Sequence, residues 1–138
     1  MDLTLNASID YFSLGVQPGR LTVAIDIFNV FGYEPSKIQS NKDKAWCFLK
    51  PKNGSSAAPI QLLQRGYSPF RISGTHLCLR ISHADPNIAN INLLDQLELI
   101  LREADAEADI LEDQGEYFLR VGSVFQEPIR VRYLQPPQ

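Results

Sequence analysis

His76, Cys78, His83 and Asp85 form the densest group of metal-ligating residue types in the chain. Imidazole, thiolate and carboxylate are zinc ligands, and two residues of strand place His76 and Cys78 on one face. Structural zinc sites use closely paired ligands of the C-x-x-C kind, and no such pair occurs. A packed cysteine beside two surface histidines accounts for the group, so no metal and no cofactor is expected. Cysteine catalysis needs a thiolate next to a histidine. Cys47 lies between Trp46 and Phe48, and Cys78 between Leu77 and Leu79, so both read as small buried hydrophobes. The chain contains no G-x-S-x-G, H-E-x-x-H or Walker motif. Gly15-Val16-Gln17-Pro18-Gly19 lacks the lysine of a phosphate loop and reads as a turn. The acids Glu103, Asp105, Glu107, Asp109, Glu112, Asp113 and Glu116 lack the order of a calcium loop and read as a solvated helix face.

Two basic and aromatic groups remain. Arg120, Phe125, Arg130, Arg132 and Tyr133 lie near the end of the chain, and Arg130 and Arg132 share a strand face. Arginine and aromatic residues are enriched at protein interfaces, so this group is the expected partner-binding surface, although edge-strand charges also block unwanted pairing. Tyr33, Lys44, Arg65, Tyr67 and Arg71, with Lys37 and Lys42 nearby, fall in the expected loops 32–44 and 65–75. That group suits an anionic small ligand.

These residues must be held by secondary structure, and the periodicity is mostly twofold. Leu3, Leu5, Ala7, Ile9 and Tyr11 alternate with polar residues and predict a half-buried strand over 3–11. Leu21, Val23, Ile25 and Ile27 alternate likewise, and the turn at 15–19 makes a hairpin the expected pairing. Further strands are expected at 45–49, 60–64, 75–82, 117–121 and 129–134, with Leu77, Leu79 and Ile81 in the core. Leu93, Leu94, Leu97, Ile100, Leu101, Ala104, Ala108 and Leu111 fall on one helical face and predict a helix over 91–111. A strand competes there, because Leu97, Leu99 and Leu101, then Ala104, Ala106 and Ala108, also alternate. Asp113-Gln114-Gly115-Glu116-Tyr117 has the spacing of a tyrosine corner, but Leu119 stands where immunoglobulin-type domains carry cysteine, and no family is assigned. No internal sequence repeat is evident. The expected architecture is α+β and β-rich: an antiparallel, sandwich-like two-layer sheet of six to eight strands with one helix near 91–111. An all-β sandwich is the alternative.

With 138 residues, 44% hydrophobic and 21% charged, the chain reads as one globular domain, 1–138. A net charge of −3 does not draw phosphate backbones over long range, so nucleic acid is not an expected partner. No stretch approaches the roughly 18 apolar residues of a membrane span, so no membrane association is expected. No basic, then apolar, N-terminal segment is present, which favours a cytoplasmic protein with reduced thiols. The sequence thus points to a non-catalytic structural or adaptor module that binds a protein partner or its own copies. The alternative is a small anionic-ligand-binding domain or small enzyme using loops 32–44 and 65–75.

Overall fold

Seven of the ten residues 21–30 are apolar, and they fit the period of a strand and of a helix alike. In the computed structural model, which describes residues 3–52, 57–66, 77–81 and 90–133, they form the helix α1, Leu21–Val30. Its buried residues are Leu21, Ala24, Ile27 and Phe28, the spacing of one helical stripe. The β-branched content favours a strand locally, and tertiary contacts override it. The helix has no side-chain cap of its own. Instead Gln64 Oε1 accepts the Leu21 N–H at 2.9 Å, a cap supplied from a neighbouring strand. Gly32, at φ 95°, takes the left-handed position just beyond the helix end.

α1 packs against a first sheet of β1 (Phe12–Val16), β2 (Tyr33–Pro35), β3 (Gln39–Ser40), β4 (Lys44–Pro51) and β5 (Ile60–Arg65). The order is β1-β5-β4-β2, with β3 also on β4; β1 and β5 run parallel and the rest antiparallel. The second half repeats the plan. β6 (Leu77–Ile81) precedes α2 (Asn90–Glu103), then β7 (Glu107–Asp113), β8 (Glu116–Gly122) and β9 (Ile129–Tyr133). Their order is β6-β9-β8-β7, with β6 parallel to β9. This duplicated strand–helix–strands topology has no counterpart in a visible sequence repeat.

Several expectations are corrected. The protein is α+β with two mixed sheets and two helices, so neither the wholly antiparallel arrangement nor the all-β sandwich holds. Residues 3–11 form no strand; Leu3, Leu5 and Ile9 are exposed, and the chain enters β1 only at Phe12. The hairpin expected between 3–11 and 21–30 is a strand followed by a helix, and the expected loop 32–44 contains β2 and β3. The second helix ends at Glu103 instead of 111. Its stop is a Schellman motif, in which the Ala106 N–H reaches Leu101 O at 3.0 Å and the Asp105 N–H reaches Arg102 O at 3.1 Å. Asp105 occupies the left-handed position at φ 65°, usually held by glycine. The second alternation, around Ala106 and Ala108, then becomes β7.

The two halves share one core. Leu93, Leu94, Leu97 and Leu101 of α2 join Leu119, Val121, Ile129 and Val131, and that cluster continues into Val16, Ile27 and Phe28. Leu77, Leu79 and Ile81 pack against it, as their alternation predicts. Each large side chain so buried contributes about 1.5–3 kcal/mol. The joint is the segment between β8 and β9: Val16 bridges Phe125, Gln17 N–H reaches Val124 O at 2.8 Å, and Gln126 N–H reaches Gly15 O at 3.0 Å. Arg20 ties the start of α1 to the end of α2 by pairing with the Asp105 carboxylate at 3.1 Å. No helix among the described residues is long and apolar enough to cross a membrane.

Candidate functional site

A strand exposes alternate residues to opposite faces, so the helix-covered face of each sheet fixes what the other face carries. In the second sheet Ile129, Val131 and Tyr133 are buried toward α2. The uncovered face therefore bears Arg130 and Arg132 of β9, Cys78 and Arg80 of β6, and Glu116, Phe118 and Arg120 of β8. Cross-strand register sets Cys78 opposite Arg130, Arg80 opposite Arg132, and Arg120 opposite Arg130. Four arginines thus gather on one face of a chain whose net charge is negative.

Two of them are neutralised by neighbours. Arg120 meets Asp109 at 3.3 Å, and Arg102, reaching from α2, shares that carboxylate at 3.4 Å. Arg132 pairs with Glu116. Arg130 differs: its guanidinium lies 4.7 Å from the centre of the Phe118 ring, and among the described residues no carboxylate pairs with it. Stacking holds the planar fork in place and leaves its edge donors open. A cavity of about 300 Å³ opens beside it. Cys78, Phe118, Arg130 and Arg132 line it together with Asp113, Gln114 and Glu116. Asp113, Gln114 and Glu116 belong to a two-residue hairpin turn in which Gln114 (φ 53°) and Gly115 (φ 81°) are both left-handed, the geometry of a type I′ turn.

The first sheet is built in the same way. Cys47, Leu49, Ile60 and Leu62 are buried beneath α1. The uncovered face carries Lys44, Trp46 and Phe48 of β4, opposite Arg65, Leu63 and Gln61 of β5. Ser13 donates to Gln61 Oε1 at 3.0 Å there. Gly15 lies on that face beneath the Gln126 side chain, which occupies the space a Cβ would need. Gln126 comes from the β8–β9 connection, so the second half of the chain reaches over the uncovered face of the first sheet at this point.

Of the residues expected at a ligand site, Lys44 and Arg65 sit directly opposite each other. Tyr33 pairs with Pro51 at the far end of β4 and packs edge-on against Phe28, so it is not brought to them. Burial pushes its hydroxyl above the ordinary phenol range. Tyr67 and Arg71 lie outside the described residues. Of the residues expected at a partner surface, Arg120, Arg130 and Arg132 share the open face, whereas Phe125 and Tyr133 are core residues at 1% exposure. Cys47 is buried as expected; desolvation raises its thiol, opposed by hydrogen bonding to Ser36. Cys78 is not buried but exposed, because its neighbours Leu77 and Leu79 face the other way. His76, His83 and Asp85 lie outside the described residues. Among the described residues no three His, Cys, Asp or Glu side chains are grouped to hold a metal ion. Sequence reading missed Phe118 and Glu116, although both share the two-residue spacing of Arg120.

No family model matches the sequence, and no curated protein matches it. The fold, by contrast, is shared with solved structures. A glyoxylase/bleomycin resistance protein/dioxygenase domain from Frankia sp. EAN1pec superposes with a TM-score of 0.62 at 14% identity, over 94% of this chain and 98% of that one. The fosfomycin resistance protein FosX from Listeria monocytogenes, in complex with manganese(II) and a dihydroxypropylphosphonic acid, gives 0.63 at 11% identity, over 93% of each chain. Glyoxalase I from Leishmania major gives 0.54 at 14% identity, over 91% of this chain and 87% of that one. These matches overturn the expectation of a structural or adaptor module, a structural subunit or an oligomeric β-sandwich. The chain has the glyoxalase/bleomycin-resistance fold, whose neighbours here are named for enzymes and resistance proteins.

Proposed function

We propose that this chain binds a small organic anion on the uncovered face of its second sheet, with Arg130 as the anchor. The observation that carries the reading is the state of Arg130: a guanidinium stacked on Phe118, without a carboxylate partner among the described residues, lining a cavity. A carboxylate or phosphonate can take two parallel N–H donors from such a fork, and the cavity volume suits a ligand of that size. Arg132, although paired with Glu116, adds positive potential beside it. The fold-level likeness to FosX, solved with a phosphonic acid, supports the reading by analogy only. The manganese of that complex is not carried over, because the described residues supply no matching ligand group.

Isothermal titration with a panel of small carboxylates and phosphonates tests this. At least one anion is expected to bind with a Kd below about 1 mM, and Arg130→Met to weaken it at least tenfold, the loss of about one charge-assisted contact. A panel that fails to bind, or binding indifferent to Arg130→Met, refutes the assignment.

A further inference from the structure

The first sheet carries its own juxtaposition of charge and aromatic surface, and it shares no residue with the Arg130 cavity. Lys44 and Arg65 are directly opposed across β4 and β5, and like charges in that position destabilise a sheet. Among the described residues neither has a carboxylate partner. Two residues further along the same face, Trp46 is opposed by Leu63, and beyond them Phe48 by Gln61. All four are partly exposed. Tyr11 stands edge-on to Phe48, ring centres 5.4 Å apart, and closes the far end. The strand rise places the cation pair about 7 Å from Trp46 and about 14 Å from Phe48.

We infer that this strip is a binding surface for a planar aromatic monoanion, its acid group between Lys44 and Arg65 and its rings over Trp46. The charge pattern selects the occupant. A neutral aromatic would leave two facing cations uncompensated, and a small inorganic anion would leave the Trp46–Phe48 surface wet. Aromatic stacking and a shared anion together satisfy both halves of the strip.

Trp46 is the only tryptophan in the chain, so one indole N–H resonance reports on the strip. The full-length protein, labelled with nitrogen-15, is titrated with 2-naphthoate and with its neutral counterpart 2-naphthylmethanol. Naphthoate is expected to shift the indole signal with saturation in the low millimolar range or below, and the alcohol to bind at least tenfold more weakly. The double variant Lys44→Gln/Arg65→Gln is expected to abolish the preference for the acid, and the charge-retaining Lys44→Arg/Arg65→Lys to restore it. An unmoved indole signal, or equal affinity for acid and alcohol, overturns the inference. So does naphthoate binding that is lost in Arg130→Met but kept in the double glutamine variant. That last result would assign the acid to the second-sheet cavity and leave the Arg130 reading standing.

Discussion

Phe28 is the side chain on which the two halves of the core most visibly converge. It is fully buried and meets Phe31, Tyr33 and Phe125 edge-on at ring separations of 6.2, 5.7 and 5.8 Å. Phe28→Ala should cost about 3–5 kcal/mol from lost burial and residual cavity. For a chain of 138 residues, unfolding entropy of about 2.1 cal/mol/K per residue converts each kcal/mol into roughly 3–4 °C. The variant should therefore melt about 10–17 °C below the parent by calorimetry. Phe28→Leu keeps apolar volume but loses the ring contacts, and should cost about 1–2 kcal/mol. A double-mutant cycle of Phe28→Leu with Phe125→Leu should return a coupling of about 0.5–1.5 kcal/mol, since the rings touch across the joint of the two halves. In an alternating strand over 21–30, Ile27 and Phe28 would point to opposite faces, and only one could be in the core. A loss below about 1 kcal/mol for Phe28→Ala would refute the helical packing described here.

The two cysteines should be separable by reactivity: a thiol reagent at neutral pH labels Cys78 in the folded protein and Cys47 only on unfolding, and rapid labelling of both would contradict the burial of Cys47. Because burial raises the thiol of Cys47, its stabilising contribution is complete below the unfolded-state pKa and is lost as pH climbs through the folded-state value. Urea unfolding should accordingly show stability falling above about pH 8.5, with a shallower decline in Cys47→Ala; identical slopes would count against the desolvation argument. Gly15→Ala displaces the Gln126 side chain and should destabilise by about 1 kcal/mol in the parent but less in a Gln126→Ala background, which denaturant midpoints can compare; additive effects would show that the two residues do not touch.

Arg120, Arg130 and Arg132 illustrate what was legible before the structure. The local pattern placed strands at 45–49, 60–64, 75–82, 117–121 and 129–134, where β4, β5, β6, β8 and β9 form, and so the parity that puts Arg130 and Arg132 on one face. It could not tell which arginines find carboxylates, because Asp109 and Glu116 reach them only through strand register. The misread elements fail for a common reason. Over 21–30 seven of ten residues are apolar, so two periods fit, and only the sheet beneath, with Gln64 as cap, selects the helix. Over 90–113 the helix stops at an aspartate in the left-handed conformation, a signal that neither glycine nor proline announces.

The local sequence pattern thus located β4, β5, β6, β8 and β9 and which of their side chains share a face, but not β1, β2, β3 or β7. The chain's pairing decisions belong to the tertiary structure: parallel closure of β1 on β5 and β6 on β9, the duplicated topology, and the reach of Gln126 from the second half over Gly15 of the first. Those contacts join residues far apart in sequence, and their energy comes from surfaces that exist only once both halves are folded.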